Sequence, residues 1–243
     1  MSINIPQSSL PRVVIAGGGF GGLKLAQSLD SNLFQVVLID HHNYHQFPPL
    51  IYQVASSGLE PSSIAFPFRS AFRKKKNFLF RMAEVEGVDS LRNVLLTSVG
   101  EVQYDYLVLA CGGTTNFFGN EEIACHSLPM KTLYESINLR NVLLQNIEKA
   151  LVSDDEARRD ALLTVAIVGG GPSGVEIAGA LAEMKRYVLP KDYPYLDSSL
   201  FRIHLLDASP RLLQAMSEKS SETAAQGLSE LGVEIHTGTM ASN

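Results

Sequence analysis

Two glycine-rich turns of the same pattern constrain this chain more than any other feature. Residues 17–22 (GGGFGG) and residues 169–174 (GGGPSG) both read G-x-G-x-x-G. Each follows a short β-branched run and leads into a helix-like segment. In this pattern the first glycine permits a tight turn, the second lets backbone approach a pyrophosphate, and the third lets helix and strand pack closely. Two copies predict two dinucleotide-binding βαβ units and electron transfer between the dinucleotides.

An acidic residue ends the strand that follows each turn. Asp40 closes a strand predicted at residues 35–40, and Asp207 closes one predicted at residues 202–207. A carboxylate there accepts hydrogen bonds from the two hydroxyls of an adenosine ribose and repels a 2′-phosphate. Capping of the next turn by Asp40 is the open alternative. The longer spacing before Asp207 is explained by an insertion at residues 186–200, for which a surface flap is the functional alternative.

Composition and charge exclude several classes of function. A net charge of −5 argues against general nucleic-acid binding, which needs a basic surface. The most apolar stretch, residues 162–184, contains Pro172 and several glycines, so we interpret it as strand, turn and helix rather than a membrane span. Cys111 and Cys125 do not form the C-x-x-C pair of a dithiol relay. The six histidines show no ligand spacing, and no metal site is predicted.

Between the two turns the pattern changes twice. Residues 78–86, 93–96 and 101–102 are β-rich and predict an antiparallel excursion from the main sheet. Residues 106–110 are continuously apolar, as expected of a strand buried on both faces, and Gly112 then lets the backbone pass close to a nucleotide. Residues 131–163 are predicted to be helical, with Ser153 or Asp154 capping a second short helix.

A loop crowded with aromatic and polar side chains follows Asp40. Residues 41–53 hold three histidines within the first five positions, yet no carboxylate or cysteine completes a recognisable ligand set. We therefore predict a loop that is solvated or lies beside a flavin.

In these motifs the chain resembles the two-dinucleotide flavoprotein reductases and, within them, the type II NADH dehydrogenases, also called NADH:quinone oxidoreductases. The resemblance covers essentially the whole chain. The glycine motifs specify only the superfamily, whereas the loop at 43–55 and the insertion at 186–200 narrow it to this family. The segments that carry it are residues 14–22, 43–55, 104–113, 165–176 and 207–213.

The resemblance implies an α/β fold of two Rossmann-like FAD/NAD(P)-binding βαβ domains with a small antiparallel β excursion. It places an FAD-binding domain at residues 1–125, a helical connection at 126–163 and an NADH-binding domain at 164–243. Hydride would pass from NADH to FAD, and electrons then to a quinone, without proton pumping. The residues implied for FAD are Gly17, Gly19, Gly21, Gly22, Asp40 and Gly112, and those for NADH are Gly169, Gly171, Gly174 and Asp207.

Glu176 corresponds to an acidic residue that the family places near the nicotinamide and the flavin. Its implied role is to orient the nicotinamide or to handle protons. The alternative is a Glu in the first turn of a helix, where the helix dipole favours a negative charge. Because the flavin performs the chemistry, we expect binding residues to matter more than a catalytic acid or base.

Two departures from the family pattern affect these expectations. The family's Ala-Thr-Gly after the buried strand is Ala110-Cys111-Gly112 here, which loses a hydroxyl. The chain also stops at Asn243, before the family's later Gly-Asp segment that closes the FAD site. We therefore expect a C-terminally truncated piece of a longer cytoplasmic enzyme. A missing C-terminal region would bind it to the inner face of the membrane. A homodimer is an open alternative to a monomer.

Two other functions are compatible with the same motifs. Sulfide:quinone oxidoreductases share the fold and the flavin, but they need several redox cysteines and no working NADH motif. A module that binds FAD or NADH without turnover is the second alternative. The intact second glycine turn with Asp207 favours NADH oxidation over the sulfide alternative.

Overall fold

The computed structural model describes residues 3–240 of the chain. Its strands in chain order are β1 (Arg12–Ala16), β2 (Gln35–Asp40), β3 (Tyr44–Gln46), β4 (Ala65–Pro67), β5 (Phe78–Met82), β6 (Val85–Asp89), β7 (Val94–Thr97), β8 (Gly100–Gln103), β9 (Tyr106–Leu109), β10 (Thr164–Val168), β11 (Arg202–Asp207) and β12 (Glu234–Thr237). Its helices are α1 (Phe20–Ser28), α2 (Ile51–Ala55), α3 (Phe68–Ala71), α4 (Glu121–His126), α5 (Leu133–Leu151), α6 (Glu156–Leu162), α7 (Pro172–Glu183), α8 (Leu189–Asp192) and α9 (Glu218–Glu230).

The described residues divide into two compact units. The first comprises residues 3–47 and 64–114, and the second comprises residues 48–63 and 115–240. The aromatic loop after Asp40 is therefore shared between them, since its residues 48–53 belong to the second unit. No helix in the described part of the chain is both long and apolar enough to cross a membrane.

The first unit is built on a parallel sheet with the order β5-β2-β1-β9. Alternate residues of β1 face opposite sides: Val13 and Ile15 pack with α1 and the Phe68 region, whereas Val14 and Ala16 pack with the antiparallel sheet β6-β7-β8. Because both faces of β1 and β2 are covered, these strands are almost continuously apolar.

Two strand predictions in this unit are wrong in detail. Residues 78–82 form β5, which pairs parallel to β2 in the main sheet instead of joining the antiparallel excursion. Strand β9 pairs with β1 at the sheet edge, and Tyr106 and Leu109 are 57% and 63% exposed. Apolar composition cannot distinguish an edge strand from a central one when the neighbouring strand is remote in sequence.

The second unit is built on the parallel sheet β10-β11-β12. Its core lies on one face, where Ile203 and Leu205 of β11 pack with residues of α5, α7 and α9. The opposite face is more exposed: Val168 is 61% exposed, and Glu234 and His236 are exposed as well. This uncovered face distinguishes the second unit from the first.

The helices between the two turns are stabilised by side-chain caps. Thr132 and Glu135 form a capping box at the start of α5, as each side chain bonds to the other's backbone N–H. Asp155, rather than the predicted Ser153 or Asp154, caps α6 by accepting from two backbone N–H groups. After α7 the chain forms a π-helical turn at Met184–Val188 and then α8. The predicted insertion at 186–200 begins within this turn.

Candidate functional site

The first glycine turn joins β1 to α1 and depends on glycine at both ends. Gly17 has φ +104°, a backbone conformation that L side chains rarely adopt. A Cβ on Gly22 would lie 1.8 Å from the carbonyl oxygen of Gly17, so only glycine lets α1 approach the strand this closely. These are the turn and packing roles predicted from the motif.

The middle glycine, Gly18, has a structural role that the motif does not assign. It is buried, and a Cβ there would lie 2.1 Å from Cζ of Phe68. Its N–H donates a 2.6 Å hydrogen bond to Oδ2 of Asp40. The sequence signal was the unbroken run of three glycines, since the motif leaves this position free.

Asp40 therefore binds the turn itself as well as ending β2. Its Oδ1 accepts a 2.8 Å bond from the N–H of His42, which is the cap considered as an alternative. Its side chain is 12% exposed. A carboxylate has about four acceptor sites, and two backbone donors leave the others available for ribose hydroxyls.

His45 is a residue of this site that the sequence did not single out. It is 3% exposed, and its Nδ1 lies 2.8 Å from the carbonyl oxygen of Gly18. Because a carbonyl only accepts, Nδ1 carries the proton in this contact. The rings of Phe20 and Phe66 pack against the imidazole at 5.6 and 5.0 Å. Both polar groups of Gly18 are thus fixed by side chains, and His45 is not solvated.

The remaining glycines of the first site face open space. A Cβ on Gly19 or Gly21 would meet nothing within 4 Å, and neither residue has positive φ. Gly112 has φ +71° and also meets nothing. The backbone just before it lies against Gly17, where a Cβ would be 2.2 Å from the Ala110 carbonyl oxygen. Packing within the protein therefore does not explain glycine at position 19.

The second glycine turn, between β10 and α7, repeats this geometry. Gly169 has φ +111°, and a Cβ on Gly174 would lie 1.8 Å from the Gly169 carbonyl oxygen. Gly170 is buried, and a Cβ there would lie 2.5 Å from Cδ2 of Leu212. At Gly171 a Cβ would meet nothing within 4 Å.

Asp207 occupies the position that Asp40 holds in the first unit. It accepts hydrogen bonds from the N–H of Gly170 and, at 2.6 Å, from the N–H of Ser209. Burial alone raises the pKa of Asp207, but the hydrogen bonds from Ser209 and Gly170 outweigh it and lower the pKa below the usual value. The carboxylate is thus held in its charged form, which is the form that accepts from ribose hydroxyls.

Burial is the main cause of the pKa shifts of two side chains that follow Asp40, His42 and Tyr44. Burial, followed by the nearby charge of His41, lowers the pKa of His42. Burial and then the charge of Asp40 raise the pKa of Tyr44. Both shifts favour neutral side chains around the single carboxylate of Asp40.

Glu176 lies apart from these contacts. It is an exposed residue two positions after Gly174, in the second turn of α7, whose first turn holds no acidic residue. The first-turn alternative for Glu176 is therefore wrong. Within the described part of the chain it makes no hydrogen bond or ion pair.

The two turns fit a dinucleotide phosphate on structural grounds. Gly19 and Gly171 each precede a helix with extended backbone and no side-chain cap, so the first N–H groups of the helix have no capping side chain. The space that a Cβ would fill is open at both positions. Helix N-termini with such uncapped N–H groups favour anions.

The comparison with known proteins agrees with this geometry. The family model described as pyridine nucleotide-disulphide oxidoreductase matches residues 11–243. The chain belongs to this family. The sequence-based resemblance is confirmed, because the type II NADH:quinone oxidoreductase Ndh of Mycobacterium tuberculosis is 38% identical over 236 residues. That alignment covers 96% of this chain and 51% of the relative.

More distant relatives in the family carry related names. An external alternative NAD(P)H-ubiquinone oxidoreductase B1 of Solanum tuberosum is 30% identical over 249 residues, with 97% of this chain and 43% of that protein covered. The chain thus spans about half the length of the curated relatives it matches.

Comparison with solved structures confirms the predicted α/β fold. NDH2 of Plasmodium falciparum in complex with NADH has a TM-score of 0.88 at 23% identity, covering 93% of this chain and 48% of that one. The sulfide:quinone oxidoreductase of Aquifex aeolicus has a TM-score of 0.72 at 22% identity, covering 94% of this chain and 51% of that one. The sulfide enzyme is the more distant of the two folds.

Proposed function

We propose that the protein carries electrons from NADH through FAD to a quinone, without pumping protons. The observation that supports this most is the pair of glycine turns, each closed by its own aspartate, Asp40 or Asp207. The 38% identity to a type II NADH:quinone oxidoreductase supports the choice of electron donor and acceptor. Because the chain spans about half of that relative, the activity is proposed for the protein to which this chain belongs.

The first unit is proposed to hold FAD and the second NADH. When bound, FAD supplies the hydride-accepting and electron-passing chemistry. Asp40 and Asp207 would each bind an adenosine ribose, and the helix N-termini after Gly19 and Gly171 would each bind a pyrophosphate. The other proposed binding residues are Gly17, Gly21, Gly22 and Gly112 in the first unit and Gly169 and Gly174 in the second.

Asp207 is also proposed to select NADH over NADPH. The hydrogen bonds that lower its pKa keep it charged, and a charged carboxylate repels the 2′-phosphate of NADPH. We expect Asp207→Asn to bind NADPH better than the wild type does. A wild type that already prefers NADPH would contradict this assignment.

Glu176 is proposed to orient the nicotinamide or to move a proton beside it. Glu176 is exposed and has no partner among residues 3–240, so its carboxylate is available for that role. We expect Glu176→Gln to change the pH profile of NADH oxidation while NADH affinity stays close to that of the wild type. An unchanged pH profile and rate would contradict the role.

The deciding experiment is the absorption spectrum of the purified chain, incubated with FAD, before and after anaerobic addition of NADH. A yellow protein whose flavin absorption bleaches supports the proposal. A colourless chain that binds NADH would support a module that binds nucleotide without turnover, and the same result with the intact gene product would contradict the proposal. The same spectrum of the intact gene product tests the proposal for the longer protein.

Matched variants separate the two sites. Asp40→Ala should weaken FAD binding about tenfold or more and leave NADH binding intact, because the lost hydrogen bonds involve a charged acceptor. Asp207→Ala should do the reverse. If both variants lose both ligands, the assignment of one dinucleotide to each unit is wrong.

The cysteines distinguish the sulfide alternative. Cys111 and Cys125 are both free and exposed. Alkylation of both thiols should leave NADH oxidation intact. Abolition of a sulfide-dependent quinone reduction by the same treatment would favour the alternative. Docking at the inner face of the membrane and a homodimer stay predictions.

A further inference from the structure

Three metal-ligating side chains meet on the uncovered face of the second unit. His204 lies on β11, and Glu234 and His236 lie on the neighbouring strand β12. Glu234 is the register partner of His204, and His236 follows two positions later, so all three side chains project from the same face. One ligand atom from each lies within 4.8 Å of the others.

The two distances from Nδ1 of His204 match the edges of a metal coordination shell. Nδ1 of His204 lies 3.2 Å from Nε2 of His236 and 3.4 Å from Oε2 of Glu234. Two ligand atoms bound to one tetrahedral Zn²⁺ at about 2.0–2.1 Å are about 3.3–3.4 Å apart. The sheet therefore already places His204 at this separation from both Glu234 and His236.

Hydrogen bonding alone satisfies this arrangement poorly. Nδ1 of His204 faces both a carboxylate oxygen and an imidazole nitrogen, and a neutral imidazole nitrogen carries at most one proton to share between them. A cation held between the three atoms would use a lone pair from each. The side chain of Glu234 is 56% exposed, so solvent can enter and supply a fourth ligand.

A second group of three ligating side chains, Asp40, His41 and His42, is less suited to a metal. Both oxygens of Asp40 already accept backbone hydrogen bonds, from Gly18 and His42. A metal there would have to compete with the bonds that close the first glycine turn. No such backbone bond to the Glu234 carboxylate occurs among the described residues.

We propose that His204, Glu234 and His236 form a binding site for a divalent transition-metal cation of the Zn²⁺ class. Imidazole nitrogen with carboxylate oxygen is a ligand set that such ions accept, and three protein ligands leave a fourth position for water. The bound ion would cross-link β11 to β12. The site is independent of the dinucleotide function proposed above. The sequence did not indicate it, because His204 and His236 are 32 positions apart.

The test is calorimetric titration of the tag-free 243-residue chain with ZnCl₂. We expect one ion per chain and a higher unfolding temperature in the presence of Zn²⁺, because a ligand that binds only the folded state stabilises it. His204→Ala and His236→Ala should each weaken binding at least about tenfold, since even residues that only support ligands contribute that much. Glu234→Gln, a change at an exposed position, should also weaken it.

Matched variants identify the ligands. His126→Ala removes an exposed histidine of α4, and His41→Ala removes a ligand of the competing group, so neither should change Zn²⁺ affinity. Circular dichroism without metal checks that each variant is folded, and Glu234→Gln serves if a histidine variant is not. A wild type that binds no Zn²⁺ overturns the proposal. Unchanged affinity in the folded site variants, or loss of binding in His41→Ala, also overturns it.

Discussion

The two glycine turns have the same shape but are held by different parts of the chain. In the first turn the carbonyl of Gly18 accepts from the side chain of His45. In the second the carbonyl of Gly170 accepts, at 2.8 Å, from the backbone N–H of Leu213, which has φ +50°. A bond that depends on a side chain can be removed by one substitution. A bond made by the backbone survives most substitutions.

The first glycine of each turn, Gly17 or Gly169, also has different surroundings. Gly17 lies against the backbone that leaves β9, whereas a Cβ on Gly169 would meet nothing within 4 Å. Both turns are thus held by the segment that follows β2 or β11, but only the first is also packed against the backbone that leaves β9. The difference indicates that the first turn is the more sensitive to changes elsewhere in its unit.

The largest expected loss of stability is for alanine at the first glycine of the first turn, compared with alanine at the first glycine of the second. Gly169→Ala adds only strain at positive φ, about 1–2 kcal/mol. Gly17→Ala adds that strain and a clash, because the new Cβ would lie 2.2 Å from a backbone oxygen. We expect Gly17→Ala to lower the free energy of unfolding by about 3 kcal/mol or more, as measured by urea denaturation.

Gly19→Ala is the matched control for this pair, because its Cβ would meet nothing and its φ is not positive. It should change the stability of the protein without ligand by less than about 1 kcal/mol. Equal losses of unfolding free energy in Gly17→Ala and Gly169→Ala would contradict the inference that the first turn is the more tightly packed.

An intermediate loss of stability is expected when His45, which donates to the Gly18 carbonyl, is replaced. His45→Leu leaves the Gly18 carbonyl without its donor in a buried place and should cost about 1–3 kcal/mol of unfolding free energy. His45→Asn places an amide N–H near the position of Nδ1 and should recover part of that loss. In the second turn Leu213→Ala keeps the backbone donor, so its cost should reflect lost packing alone.

FAD affinity provides a second measurement for His45. If His45→Leu weakens FAD binding and His45→Asn restores it, the imidazole positions the turn. Equal stability and equal affinity in the two variants would show that His45 acts only through packing.

The smallest expected effect is a pH dependence at Asp207. Its pKa is lower in the folded state than the ordinary value of about 3.9. The resulting stabilisation is present above about pH 4 and is lost as the pH falls through the folded-state pKa. The stability gap between the wild type and Asp207→Asn should therefore be constant near neutral pH and shrink in acid. A gap unchanged down to about pH 2 would contradict this interpretation.

Local patterns predicted the βαβ units well. The bounds of β2 and β11 agree with the prediction, because each strand ends at the aspartate that the motif identifies. Strand β5 was assigned to the wrong sheet because its partner β2 lies far back in the sequence. Composition shows that a segment is a strand but not which strand it joins.

The candidate site shows the same limit. The spaced glycines and the two aspartates follow from a motif with known physical roles. The motif could not identify His45, since its contact with Gly18 spans 27 positions and forms only in the folded chain. The pairing of His204 with His236 likewise exists only once β11 and β12 are adjacent.

The hydrogen bonds from Gly18 to Asp40 and from Gly170 to Asp207 close both turns by contacts within the protein alone. Each turn is therefore already fixed in the shape in which we propose that it binds a dinucleotide. Fixing the backbone of a flexible loop costs about 1–2 kcal/mol of conformational entropy per residue. If a phosphate binds at either helix N-terminus, as proposed, the loop is already ordered by folding, so more of the contact energy is available as affinity.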